Sequence, residues 1–92
     1  MNKRKIKFDG KIFKVWECIE PLLLLEEYYG SLNDVPETML AQMLYQYFIL
    51  RGCNLDFDYD FETYRKLLKY NLLTVTQLTN FVISIQKEEK KK

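Results

Sequence analysis

The feature that most constrains the fold is the segment at residues 35–51, VPETMLAQMLYQYFILR. On a helix that turns about 100° per residue, its apolar side chains cover almost the whole circumference. Only Gln42 and Gln46 form a polar seam. A helix that is apolar nearly all round is buried in a core or covered by another chain. The segment therefore predicts a central helix.

Both ends of this helix carry recognisable signals. Asp34 is a candidate N-cap, Pro36 suits the first turn, and Glu37 completes a pattern that resembles a capping box. Gly52 follows the last apolar residue, where a glycine accepts positive φ without steric cost. We therefore expect the helix to run over residues 35–51.

The N-terminal segment predicts a β-hairpin over residues 5–16, KIKFDGKIFKVW. Asp9 and Gly10 separate two short alternating runs, and Asp-Gly is typical of a two-residue type I′ turn. A single hairpin is only marginally stable alone, so its apolar face must lie against a helix.

Three further amphipathic helices are expected, at about residues 19–29, 61–71 and 75–86. Gly30 ends the first, Asp58 or Asp60 caps the second, and Thr74 or Thr76 begins the third within a T-x-x-Q pattern. The sequence predicts an α+β fold, mainly α, in which an N-terminal hairpin packs on a bundle of about four helices. Residues 1–86 form a single domain, and residues 87–92 form a disordered basic tail.

The apolar content is high for a chain of 92 residues, since 48% is hydrophobic and there are seven Tyr and six Phe. A small domain buries a smaller fraction of its surface than a large one. Some of these side chains should therefore meet another polypeptide, and Tyr is enriched at interfaces. The candidate partner-binding residues are exposed members of the central helix and of the acidic-aromatic segment: Met39, Met43, Tyr47, Phe57 and Tyr59.

The net charge of +1 conceals a segregation of charge along the chain. Residues 1–16 and 65–92 are basic, whereas residues 17–64 carry ten acidic groups against one arginine. This pattern favours an oppositely charged partner or head-to-tail association, and a merely solvated surface is the alternative. The basic ends also allow nucleic-acid binding, although the acidic middle disfavours it.

Catalysis and metal binding receive little support. The chain has no histidine, no P-loop, no dinucleotide-binding glycines and no nucleophile elbow, so neither an enzyme nor a cofactor is expected. A calcium-binding loop that began at Asp56 would need glycine at Phe61 and glutamate at Leu67. The alternating acidic residues are therefore better explained as a solvated face and a helix cap.

Cys18 and Cys53 stand 35 positions apart without a C-x-x-C motif, and we interpret them as small buried hydrophobic residues. The longest uninterrupted leucine run, at 22–25, is far shorter than the roughly 20 residues that a membrane span requires. No membrane association is expected, and a soluble cytoplasmic protein is the default interpretation.

The order of elements resembles a known family over about residues 5–70. A basic strand, the Asp9-Gly10 turn and a second strand lead into a helix ending LEEYYG at 25–30. A longer helix then precedes the acidic-aromatic segment NLDFDYDFETYRKLL at 54–68. This arrangement is similar to that of the small tail assembly chaperones of long-tailed bacteriophages and prophages.

The resemblance implies a non-catalytic protein in the cytoplasm of a bacterial host. Such a protein would bind a helical client, the tape-measure protein, together with tail-tube subunits, and would associate weakly with itself. The alternative is a small nucleic-acid-binding or regulatory protein that uses its basic termini. The family offers no catalytic residues to transfer to this chain.

Overall fold

A hairpin followed by four α-helices makes up the part of the chain that the structure describes. A computed structural model of the protein describes residues 3–90, with side-chain surroundings as far as residue 87. The elements are β1 (Arg4–Phe8), β2 (Lys11–Val15), α1 (Glu20–Tyr29), α2 (Met39–Cys53), α3 (Phe61–Leu68) and α4 (Leu72–Lys90). A 3-10 turn at Leu32–Asp34 joins α1 to α2. The predicted α+β class, a hairpin on a small helical bundle, is confirmed.

The hairpin forms as its sequence predicts. Asp9 and Gly10 have φ of 51° and 72°, the positive values that a type I′ turn requires. Ile6 pairs with Phe13, and both lie on the buried inner face. The outer face is exposed and mostly basic: Lys5, Lys7, Ile12 and Lys14.

Side chains at the start of α4 close the outer edge of β1. The backbone N–H of Lys7 donates to Oε1 of Gln77 at 2.9 Å, and the Lys7 carbonyl accepts from the Thr74 hydroxyl. The N–H of Asp9 donates to Oδ1 of Asn71 at 3.1 Å. An open edge strand invites pairing with other chains, so these contacts protect β1.

Two predicted helix signals are confirmed. α1 ends at Gly30, whose φ of 86° places it in the left-handed region that favours glycine. α3 begins after Asp60, whose Oδ1 accepts the backbone N–H of Thr63 at 2.7 Å. α3 ends at Leu68, earlier than predicted, because the N–H groups of Tyr70 and Asn71 turn back onto carbonyls of its last turn.

The predicted start of the central helix is wrong. α2 begins at Met39, and its N-cap is Thr38, whose Oγ1 accepts the N–H of Ala41 at 3.1 Å. Asp34 belongs instead to the preceding 3-10 turn. Val35 has an extended ψ of 118°, as expected for a residue before proline, so the helix cannot begin there.

The predicted role of Gly52 is also wrong. Gly52 lies inside α2, which ends one residue later at Cys53, and its φ is not positive. A Cβ at Gly52 would lie 3.0 Å from Cγ of Glu20 in the first turn of α1. Glycine therefore lets the start of α1 approach the end of α2 closely.

The last helix is longer than predicted, since α4 starts at Leu72 and continues to Lys90. The segment QKEEK at 86–90 consists of strong helix formers, which explains why the helix passes residue 86. Residues 91–92 of the predicted tail lie outside the described residues. Thr74 is an internal helical residue rather than a cap.

The core is organised around α2, as the apolar residues on nearly all sides of this helix predict. α2 packs against α1, β2 and α3, while β1 packs against α4. Seven side chains of α2 are buried: Ala41, Leu44, Tyr47, Phe48, Ile49, Leu50 and Cys53. The inner face of the hairpin supplies Ile6, Phe8, Phe13 and Val15 to the same core.

Candidate functional site

A groove of about 840 Å³ opens between the C-terminal half of α2, residues 54–60 and α3. Its floor is aromatic: Tyr28, Tyr47, Phe48, Phe57, Tyr59 and Phe61. Its rim is charged: Arg51, Asp58, Asp60, Glu62 and Arg65. We call this surface the aromatic groove. Its volume falls within the roughly 300–1,000 Å³ that is common for binding sites.

The segment at residues 54–60 builds one wall of the groove, and its residues 56–60 alternate between exposed and buried or half-buried positions. Phe57 points inward, and its ring centroid lies 5.8 Å from that of Phe8 and 5.2 Å from that of Phe13. Asp56 and Asp58, on either side of Phe57, are exposed. The period-two pattern therefore places the aromatic rings against the hairpin and the carboxylates in water.

Tyr47 fixes this wall to the central helix. Its hydroxyl donates a hydrogen bond to the backbone carbonyl of Tyr59. Its ring centroid lies 5.4 Å from those of Phe61 and Tyr64 in α3. One buried side chain of α2 thus positions both the segment and the helix that flank the groove.

Tyr59 ties the groove to the hairpin turn. Its hydroxyl donates to Oδ2 of Asp9 at 2.7 Å and accepts from Nζ of Lys11 at 3.3 Å. The Lys11 ammonium also lies 5.5 Å from the centroid of the Tyr59 ring. Burial raises the pKa of Tyr59, and the hydrogen bond with Tyr59 raises the pKa of Lys11. Both groups thus keep their protons at neutral pH, as these hydrogen bonds require.

The rim combines both signs of charge around the aromatic floor. The guanidinium of Arg65 lies 5.8 Å from the centroid of the Phe61 ring, a cation–π contact. Arg51, Asp58 and Glu62 are exposed. The backbone N–H of Thr63 holds the pKa of Asp60 below its ordinary value, so this carboxylate is ionised at neutral pH. Aromatic rings beside arginines are the chemistry that protein interfaces favour.

The structure brings three of the five predicted partner-binding residues together, since Tyr47, Phe57 and Tyr59 all line the groove. The expectation that they are exposed needs correction, because Tyr47 is only 2% exposed and Phe57 only 5%. α2 is covered on most sides, and Phe57 fills the space against the hairpin. Tyr59 is half-buried.

The two methionines lie elsewhere. Met39 is 71% exposed at the first position of α2. Met43 is half-buried and lines a separate depression, which shares Glu62 and Arg65 with the groove. The five residues therefore do not form one continuous surface.

Sequence reasoning missed the groove residues that a partner would reach first. Tyr28, at the end of α1, and Leu55, just after α2, are both exposed and line the groove. The sequence offered one signal, since Leu55 opens the alternation of apolar and acidic residues. Nothing local connects Tyr28 or Arg51 to that segment, because α1 and α2 meet it only in the folded chain.

A second group of exposed apolar side chains lies where α3 meets α4: Tyr70, Leu72 and Leu73. A third lies around the start of α2: Leu32, Met39 and Leu40. Exposed apolar groups on a small protein often mark sites of association.

Among the side chains that the structure describes, no group of three or more His, Cys, Asp or Glu is placed to hold a metal ion. Within the described helices, none has the length and apolarity that crossing a membrane requires.

The fold and the groove define a small, mainly helical α+β protein with an aromatic cleft edged by charged residues. Comparisons of the chain with protein-family models, curated proteins and solved structures found no match.

Proposed function

We propose that the protein is a non-catalytic binder of a helical client, similar in role to the tail assembly chaperones of long-tailed phages. In this role it binds the tape-measure protein and meets tail-tube subunits in the cytoplasm of the bacterial host. The observation that carries the proposal is the aromatic groove, where Tyr28 and Leu55 are exposed beside the buried rings of Tyr47, Phe48 and Phe57.

The shape and chemistry of the groove suit an amphipathic helix. Such a helix places apolar side chains at i, i+3 or i+4 and i+7 into an apolar channel, while its polar face stays in water. Arg51 and Arg65 can pair with acidic residues beside that stripe, and Asp58 and Glu62 can pair with basic ones. Because the rim carries both positive and negative charges, the groove could bind helical segments of differing sequence along one client.

The decisive experiment is co-expression with the tape-measure protein proposed as the client. The double variant Tyr28→Ser/Leu55→Asp removes the two exposed apolar side chains of the groove. Because the Tyr28 ring also contacts Phe48, circular dichroism must first show that the variant is folded. Ile12→Ser, on the outer face of the hairpin, is the matched control. We expect the wild type and Ile12→Ser to keep the client soluble and to co-purify with it, and the double variant to lose both effects. Failure of the wild type to do either would refute the proposal.

Weak self-association is part of the same proposal. The exposed side chains Tyr70, Leu72 and Leu73 give the protein apolar surface away from the groove. Several copies on one long client would gain affinity through multivalency. Light scattering over a concentration series should show a rising apparent mass for the wild type and a smaller rise for Leu72→Ser/Leu73→Ser. A constant monomer mass at all concentrations would argue against this part.

One observation favours a second candidate, nucleic-acid binding through the hairpin. Lys5, Lys7 and Lys14 are exposed on one face of the hairpin, and none forms an ion pair with a residue that the structure describes. Phosphate contacts of this kind give affinity that falls steeply with salt. A gel shift at low salt that is lost in Lys5→Gln/Lys7→Gln/Lys14→Gln would support this candidate. No shift with DNA or RNA would remove it.

A further inference from the structure

The fold brings the two cysteines of the chain together. The Sγ atoms of Cys18 and Cys53, 35 positions apart in sequence, lie 3.9 Å apart. Cys18 is half-buried in the connection between β2 and α1, and Cys53 is buried as the last residue of α2. The sequence interpretation as separate buried hydrophobic residues therefore misses a contact between two thiols.

Several contacts hold the connection that carries Cys18 against the end of α2. The Cys53 thiol donates to the backbone carbonyl of Trp16 at 3.6 Å. Nδ2 of Asn54 donates to the Lys14 carbonyl at 2.9 Å. Gly52 allows the first turn of α1 to approach α2 without a clash. These contacts hold the β2–α1 connection against the end of α2, and they therefore keep the two thiols close to each other.

We propose that Cys18 and Cys53 form a reversible intramolecular disulfide when the protein meets a low-molecular-weight disulfide such as oxidised glutathione. A disulfide has an S–S distance of about 2.05 Å, so each sulfur must move by about 1 Å. Rotation about the Cα–Cβ bonds supplies a movement of this size. This inference does not depend on the proposed function.

The reaction proceeds by two thiol–disulfide exchanges. The thiolate of Cys18, the more accessible of the two, attacks one sulfur of oxidised glutathione and releases the first glutathione thiolate. The thiolate of Cys53 then attacks the Cys18 sulfur and releases the second. The protein loses two protons and two electrons, and the oxidant becomes two thiols.

The second exchange requires the ionised form of the Cys53 thiol. Burial raises the pKa of Cys53 to about 11, so only a small fraction of this thiol is ionised at pH 7. Disulfide formation should therefore become faster as the pH rises. The resulting ring encloses α1 and nearly all of α2 and restricts the unfolded chain.

The test treats the reduced, folded chain with oxidised glutathione and follows it by intact mass and thiol titration. We expect a monomer that is lighter by two hydrogens and has no reactive thiol. Proteolytic digestion without reduction should give one disulfide-linked peptide that contains both cysteines. The thermal midpoint should rise by about 15 to 30 °C. A reducing agent should reverse all of these changes.

Two single variants complete the test. Cys53→Ser should stop at a stable adduct of one glutathione on Cys18, because the resolving thiol is gone. Cys18→Ser should retain a slowly reacting buried thiol. If the wild type keeps both thiols, stops at the glutathione adduct or forms only cross-linked dimers, the proposal is wrong.

Discussion

The hydroxyl of Thr74, in the first turn of α4, donates a hydrogen bond to the backbone carbonyl of Lys7 in β1. Gln77, one turn further along, accepts the N–H of the same residue. The C-terminal helix therefore supplies the edge partner that β1 lacks. This relationship explains how a two-stranded hairpin, marginal alone, becomes part of a stable fold.

Thr74→Val should destabilise the protein by about 1–3 kcal/mol. Valine keeps the shape of the fully buried side chain but leaves the Lys7 carbonyl without its partner. Thr76 is exposed, and its hydroxyl donates to the Leu72 carbonyl of its own helix, so Thr76→Val should change the free energy of unfolding by less than about 0.5 kcal/mol. Urea unfolding measures the stability of both variants. If they were destabilised equally, the hydrogen bond from Thr74 to the edge of β1 would not be important for stability.

Tyr47→Phe and Tyr64→Phe should act in opposite directions. The Tyr47 hydroxyl donates to the Tyr59 carbonyl, so its removal should cost about 1 kcal/mol. The buried Tyr64 hydroxyl has no hydrogen-bond partner among the described residues, so its removal should stabilise the protein by up to about 1 kcal/mol. Paired denaturation curves decide the point. Destabilisation by Tyr64→Phe would show that its hydroxyl has a partner.

Thr38→Ala should lower the free energy of unfolding by about 1 kcal/mol, because it removes the N-cap of α2. Asp34→Ala should have a smaller effect, since the side chain is exposed and does not cap α2. If Asp34→Ala destabilised the protein more than Thr38→Ala, Asp34 would be the N-cap, as the sequence predicts. Thermal unfolding of the two variants in parallel makes the comparison.

The free energy of unfolding should decrease at alkaline pH. Burial raises the pKa of Cys53 to about 11 and also raises the pKa of Tyr64. The folded state then holds protons that the unfolded chain releases, so stability is full below about pH 9 and is lost as the pH rises toward 11. Under reducing conditions, Cys53→Ala should show a shallower decline between pH 9 and 11. If the wild type and Cys53→Ala lost stability equally over this range, ionisation of Cys53 would not contribute to the loss.

The candidate site was only partly predictable. The sequence identified Tyr47, Phe57 and Tyr59, which line the groove, because apolar residues in a periodic pattern are visible locally. It did not identify Tyr28 or Arg51, which reach the groove from α1 and α2. It also placed Tyr47 on the surface, because a helix that is apolar all round does not reveal which side its neighbours cover.

The sequence by itself determined the hairpin turn at Asp9-Gly10, the end of α1 at Gly30 and the central position of α2. Each of these depends on φ preferences or apolar periodicity within a few residues. Only the tertiary structure decided that Thr74 and Gln77 bind a strand, that Gly52 serves close packing, and that Cys18 meets Cys53. Those outcomes depend on contacts between segments far apart in the chain, where local preference carries no information about the partner.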